Sequence, residues 1–510
     1  MMGKCKNVLL PLLLLVLHIS GFFAAPSGHG EEAFIGVNIG TQISDMPSPT
    51  DVVSLLKDQQ IRHVRLFNAD QAMLKALANT GISVVVTIPN DLIIGIGESN
   101  ATAAKWVSQN ILTHIPSTHI TAIAVGSNIL ATLPNAARVL VNAMNFTHSA
   151  LVGARLDSQI KVSTPLSSDV ILESFPPSRA HFNSSWLGVM DPLLKFLDST
   201  GSYLMLNVYP YFAYVSSNGT IALDYALFRP LPPNKDAIDS STFLHYTNVF
   251  DAMVDAAYFA MLNLSYSNIP VVVTESGWPS KGELSEPDAT HDNANTYNSN
   301  LISRVLNGTG TPKRPGVAVS TYIYELYNED KNPGLASQQN WGLFNRIGVA
   351  VYTLHLNGSW TMFQNDTKKP TFCVAKQSAD AALVQSGLDW ACGPGKVNCS
   401  PLTQGQPCYD PNGSTRLSSH ASYAFDAYYH SQGMTDTECD FRGAATLTTT
   451  DPSHGSCLYP GSVGRNGSLT NGTSLVPSTN STDSGCGSQY LHDSNALIIS
   501  SLIVCFAFWL

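Results

Sequence analysis

Val271-Val272-Val273-Thr274-Glu275-Ser276-Gly277-Trp278-Pro279 is the stretch on which the reading of this chain turns. Its β-branched run does not alternate with polar residues, so both faces of the strand it forms are covered, as in a parallel sheet flanked by helices. The run ends on a carboxylate and then turns at Gly-Trp-Pro. In a parallel barrel the groups that do chemistry sit at the C-terminal ends of the strands, which places Glu275 in the barrel mouth rather than on an ordinary surface loop. A carboxylate there can act as a nucleophile on a sugar.

Similar runs recur on either side: Phe34 to Asn38, Ile61 to Phe67, Ile82 to Ile88, Ile120 to Val125, Ile160 to Ser163, Tyr203 to Val208, Pro270 to Thr274 and Val317 to Tyr324. Amphipathic helical patterns lie between them, for example Pro49 to Gln59, with Ser48 as its cap, and Ala101 to Leu112. Eight strands alternating with helices over residues 33–358 predict an α/β fold, a (β/α)8 TIM barrel, with an open doubly wound sheet as the other arrangement. Gly95-Ile96-Gly97 has no following lysine and does not make a nucleotide loop. Aromatic residues gather at the same rim: Tyr209, Tyr211, Phe212 and Tyr214 after the sixth strand, Tyr322, Tyr324 and Tyr327 around the eighth, and Trp341 and Phe344 just beyond. Aromatic faces beside carboxylates and amides are the usual lining for pyranose rings, although some of these rings belong to the core.

The chain has 510 residues, 44% apolar and only 13% charged, with a net charge of -10. That acidic balance excludes a phosphate-neutralising surface, so no nucleic-acid partner is expected. Residues 1–27 read as a secretory signal peptide, with Lys4 and Lys6 ahead of an apolar run. Residues 485–510 read as a glycosylphosphatidylinositol (GPI) attachment signal, small residues and a polar spacer before an apolar tail, with Ser484 as the attached residue; a transmembrane anchor is the alternative. Thirteen N-x-S/T sequons fit the secretory route. Six cysteines, Cys373, Cys392, Cys399, Cys408, Cys439 and Cys457, fall within residues 371–459 and predict three disulfides in a small stapled domain. No paired C-x-x-C or histidine spacing supports zinc there, and neither metal nor cofactor is expected. A Ser/Thr/Gly/Asn-rich stalk, 460–484, follows.

These segments carry a resemblance. Ile35-Gly36-Val37-Asn38, Val64-Arg65-Leu66, Asn207 to Phe212, Leu223 to Phe228, Thr274 to Pro279 and Asn340-Trp341-Gly342-Leu343-Phe344 are similar to the plant β-1,3-glucanases of glycoside hydrolase family 17. Cys373-Val374-Ala375-Lys376, Asp389 to Gly393 and Asp451-Pro452-Ser453 with Cys457 resemble the six-cysteine glucan-binding domain often joined to them. The resemblance implies a retaining mechanism on β-1,3-glucan, Glu275 as the nucleophile, and a groove built from Asn38, Tyr209, Tyr211, Trp278, Tyr324, Glu325, Glu329, Trp341 and Phe344. In the small domain it implies Trp390, Tyr423 and Tyr428 as a stacking platform, and the pairings 373–439, 392–399 and 408–457. It implies a monomer at the outer face of the plasma membrane and in the cell wall, acting on callose-type glucan, with plant defence as a role.

One position departs from the pattern. Retaining hydrolysis needs two carboxyl groups, one to attack the anomeric carbon and one to protonate the leaving oxygen. The family has that acid/base glutamate at the end of the fourth strand, where this chain reads Val125-Gly126-Ser127-Asn128. An amide cannot give an acidic proton, and loss of general acid/base help costs ~10²–10⁴-fold. Glu325 and Glu329 are the carboxylates expected nearby. The sequence therefore leaves open a weakened endo-glucosidase and a non-hydrolytic glucan-binding protein.

Overall fold

The computed structural model describes residues 33–358 and 370–462. The expected signal peptide, the expected attachment signal with Ser484, and the expected stalk beyond residue 462 lie outside the described residues. Eight parallel strands form a barrel: β1 (Ile35–Ile39), β2 (His63–Leu66), β3 (Ser83–Ile88), β4 (His119–Val125), β5 in two segments (Lys161–Ser163 and Pro165–Ser167), β6 (Leu204–Asn207), β7 (Val271–Ser276) and β8 (Thr321–Ile323). The first segment of β5 pairs with β4 and the second with β6, so the break at Thr164 is where the ring closes. Pro165 has no N–H to give to a ladder, and its carbonyl instead accepts from Asn128 N at 3.0 Å. Thr164 Oγ1 reaches across to the Val125 carbonyl at 2.8 Å.

Two apolar layers explain the unbroken runs. Val85, Ala122, Ala124, Met205 and Tyr322 meet inside the barrel. Val64, Val84, Ile123, Leu206 and Val273 pack outward against the helices. Tyr322 fits only because β1 carries a glycine: a Cβ on Gly36 would stand 2.5 Å from the tyrosine ring.

The outer layer is made by α1 (Pro49–Asp58), α2 (Asn100–Asn110), α3 (Ala137–Ala154), α4 (Leu187–Thr200), α5 (Val249–Asn263) and α6 (His291–Leu306). Ser48 caps α1 by accepting from Asp51 N, with Pro49 in the first turn. Two expectations shift. The helix predicted to reach Leu112 ends at Asn110, because residues 112–114 tighten into a 3₁₀ turn. The eighth strand begins at Thr321 rather than Val317. Val317 N still donates to the Arg314 carbonyl in the preceding turn, Gly316 holds a left-handed φ of 77°, and Val317 is 52% exposed.

The C-terminal unit pairs β9 (Phe372–Ala375) antiparallel with β10 (Ala445–Thr448) beside α7 (Ala381–Cys392) and α8 (Arg416–Ser431). Disulfides join Cys373 to Cys439, Cys392 to Cys399 and Cys408 to Cys457. A unit this small buries little apolar surface, so crosslinks that restrict its unfolded chain supply much of its stability, about 2–5 kcal/mol for each native bridge in small secreted domains.

This unit is seated on the barrel. Arg346, past β8, is buried between them: its backbone N donates to Asp436 Oδ2 at 3.2 Å and its Nη2 to the Cys439 carbonyl at 3.4 Å. Lys281 pairs with Glu438 at 2.7 Å, and Lys376 with Asp45 at 2.9 Å. Lys281, Arg346 and Asp45 follow β7, β8 and β1, so the second unit rests on the same face of the barrel as the mouth.

Candidate active site

Glu275 leaves β7 through an irregularity. Val273 pairs with Leu206 but Glu275, two residues on, pairs with the next residue, Asn207, so one extra residue is absorbed on β7. Such a bulge re-aims a side chain, and here Thr274 and Glu275 both face polar partners. Glu275 Oε1 accepts from Arg65 Nη1 at 2.6 Å and Oε2 from the Tyr209 hydroxyl at 2.9 Å. Charge-assisted bonds this short fix the carboxylate in orientation. Burial, and next the negative charge of Glu275, push the Tyr209 hydroxyl well above its ordinary pKa, so it stays a donor.

Arg65 is wholly buried inside the barrel. Its Nη2 donates to Ser127 Oγ at 3.1 Å, its Nη1 lies 3.4 Å from Asn38 Oδ1, and its guanidinium lies 4.5 Å from the Phe67 ring centroid. Asn38 in turn donates to the Thr274 carbonyl at 3.1 Å. One cation thus ties the ends of β1, β2, β4 and β7 together beneath Glu275. The signal that could have marked it is a charge at the centre of Val64-Arg65-Leu66, a strand too apolar to leave a charge unpaired.

Asn128 sits at the end of β4 in the left-handed region, φ 51° and ψ 37°, which asparagine tolerates better than most residues. Its Oδ1 accepts from Asn207 Nδ2 at 3.1 Å, and Asn207 Oδ1 accepts from Thr274 Oγ1 at 2.7 Å. Asn128 and Glu275 are therefore linked across the mouth through Asn207 and through Ser127 and Arg65. Asn90 clamps the turn, donating to the Ser127 carbonyl at 2.9 Å and accepting from its N–H at 2.8 Å. A trough of about 530 Å³ opens at this side, lined by Asn128, Asp169, Asn207, Tyr209 and Phe212 among others.

The remaining expected groove residues divide by burial. Tyr209 and Tyr324 are half-buried and Phe212 is 43% exposed, so these rings can meet a ligand. Tyr211, Trp278, Trp341 and Phe344 are buried beneath them. Trp341 stacks edge-on to Tyr209 at 5.3 Å, and Trp278 Nε1 donates to the Asp288 carbonyl at 2.9 Å, so both support the platform from below. Glu329 accepts from Gln42 N at 2.7 Å and from the Tyr324 hydroxyl at 3.1 Å. Glu325 is completely buried, and burial, then the neighbouring Glu329 charge, push its carboxyl well above the ordinary range. Gly40 leaves the space these two carboxyls occupy, since a Cβ there would lie 2.2 Å from an oxygen of each. Both stand beyond β8, on the side of Glu275 away from Asn128.

In the small unit, Trp390 and Tyr428 meet edge-to-face at 4.9 Å in a groove of about 310 Å³ that Phe441, Glu438 and Arg442 help to line. Trp390 is 43% exposed. Tyr423 lies apart from that groove, against Tyr459 at 5.4 Å. Among the described residues, no group of three or more His, Cys, Asp or Glu could hold a metal, and no helix is long and apolar enough to cross a membrane.

Residues 35–356 match the model of glycosyl hydrolases family 17, and residues 371–446 match that of the X8 domain. The chain is 59% identical over 486 residues to glucan endo-1,3-beta-glucosidase 3 of Arabidopsis thaliana, covering 95% of this chain and 96% of the relative. It is 61% identical over 456 residues to glucan endo-1,3-beta-glucosidase 2 of the same plant, 89% of each. Among solved structures, a β-1,3-glucanase and pollen allergen of Cryptomeria japonica superposes with a TM-score of 0.60 at 43% identity, over 63% of this chain and 99% of that one.

Proposed function

From the premise that the chain belongs to glycosyl hydrolases family 17 and carries an X8 domain, we propose that it is a β-1,3-glucan endo-glucosidase of retaining type, slowed at the proton-transfer step by Asn128. The observation that carries this reading is Glu275, oriented by Arg65 and by Tyr209, whose ring lines an open trough. Glu275 attacks the anomeric carbon, the glycosidic C–O bond breaks, and a glycosyl ester forms on the carboxylate. Water then opens that ester, with retention at the anomeric centre. Asn128, held by Asn207, can bind a sugar hydroxyl but cannot drive either proton transfer.

The second reading is a glucan-binding protein that does not cut, and the amide at position 128 is what favours it. Barrel trough and X8 groove would then both hold polysaccharide. Under either reading we infer a site of action at the outer face of the plasma membrane, on callose-type glucan of the cell wall, a reading supported by the expected leader, stalk and GPI-attachment signal. Laminarin hydrolysis by the purified secreted chain separates the readings: reducing ends that accumulate in proportion to enzyme, and vanish with Glu275→Gln, support the hydrolase. Binding without turnover at any enzyme concentration supports the other.

A further inference from the structure

We propose that Asp169 supplies the acid/base function that residue 128 does not. The inference rests on the hydrolase reading above and names a catalytic residue for it. Around the barrel, β5 stands between β4 and β6, and Asp169 is the second residue past the end of β5. It lines the same trough as Asn128, Asn207 and Tyr209, and a smaller hollow beside it again has Asn128 and Asp169 on its wall. Among the residues lining either space it is the one carboxylate.

Its setting suits proton transfer. Ser167 Oγ donates to Asp169 Oδ2 at 2.8 Å, and Ser167 Oγ in turn accepts from Asp169 N, so the side chain is oriented from below. No protein group among the described residues bonds Oδ1. The residue is exposed, so it can exchange its proton with solvent between the two half-reactions. The carboxyls beyond β8 lack these features: Glu325 is closed off from solvent and Glu329 is committed to Gln42 and Tyr324, both on the far side of the nucleophile.

In the first step Glu275 attacks the anomeric carbon while the bond to the leaving oxygen breaks. The electron pair stays on that oxygen, which takes the proton of the Asp169 carboxylic acid. In the second step the Asp169 carboxylate takes a proton from water, the water oxygen bonds to the anomeric carbon, and the ester electron pair returns to Glu275.

The test uses laminarin, whose leaving group must be protonated, and a dinitrophenyl β-laminaribioside, whose leaving group need not be. It compares wild type, Asp169→Asn, and Asp169→Asn combined with Asn128→Glu. The expected result is that Asp169→Asn lowers kcat/KM on laminarin by ~10²–10⁴-fold while changing the initial dinitrophenolate burst by only a few fold. Azide should speed turnover of the variant and yield the β-glycosyl azide. The double variant should recover laminarin cleavage, which loss of folding could not produce. Laminarin cleavage by Asp169→Asn at the wild-type rate overturns the assignment and leaves the hydrolase reading standing. A wild type that gives the burst but never cuts laminarin also overturns it, with the nucleophile intact. A wild type that gives neither overturns the hydrolase reading itself.

Discussion

The two sides of the barrel mouth are built to different standards. On the β7 side a buried arginine, a tyrosine hydroxyl and a strand bulge hold one carboxylate at 2.6 and 2.9 Å from its donors. On the β4 side the corresponding position is a neutral amide that bonds to another amide, beside an exposed aspartate. In the proposed retaining reaction the attacking half is thus preorganised, while the proton-handling half depends on groups less tightly held. Glycosidic cleavage can be limited by one half alone, since ester formation from a good leaving group needs only the nucleophile.

The contrast breaks most severely at Glu275. Glu275→Gln should abolish both laminarin cleavage and ester formation, a fall of more than about 10⁴-fold in kcat, because the covalent path is closed. Restoring symmetry gives the next largest effect. In the Asp169→Asn background, Asn128→Glu should raise laminarin turnover by ~10²–10⁴-fold, measured as reducing ends released. An unchanged rate would mean that the β4 side is not where the reaction is slow.

A smaller effect sits on the X8 unit. Trp390→Ala should weaken retention on insoluble β-1,3-glucan by roughly tenfold, the loss of one exposed aromatic anchor, in a pull-down assay with the hydrolytic rate on short oligosaccharides unaltered. Tyr423→Ala, outside the groove, should leave retention nearly as it was.

The smallest is a pH dependence of stability in the same unit. Burial raises Asp426 from 3.8 to about 8, with a smaller contribution from Asp451, while burial lowers His430 below 6.5. The two lie 3.6 Å apart and face each other as neutral groups at neutral pH. A carboxyl whose folded pKa is raised stabilises the fold at low pH and loses that stabilisation as pH climbs through its folded value. Asp436, raised to about 6 by burial despite Arg346, acts the same way at lower pH, and His430 opposes both below 6.5. Between pH 6.5 and 8 Asp426 dominates, so the melting temperature of the small unit should fall across that interval, and Asp426→Asn should flatten the slope.

How much of this was legible in the sequence follows from what local pattern encodes. Continuous β-branched runs with helices between them report a covered parallel sheet, so the barrel and the place of Glu275 at its mouth could be read directly. The break of β5 at Thr164 and the late start of β8 could not, because both depend on partners far away in the chain. Aromatic residues near the rim could be found by position, but not sorted into exposed rings such as Phe212 and buried supports such as Trp341, since burial is set by the layer above. Arg65 and Asp169 were passed over for opposite reasons. Arg65 lies 210 positions from its partner Glu275, and Asp169 matters only because β5 closes beside β4.

The most direct test of the account is covalent trapping. The purified protein is incubated with 2-deoxy-2-fluoro-β-laminaribiosyl fluoride, which needs no protonation to react and whose ester turns over slowly, and the modified peptide is then located by mass spectrometry. The account predicts one sugar adduct per molecule, on Glu275, in the wild type and in Asp169→Asn alike. An unmodified protein, or an adduct on any other side chain, would contradict it.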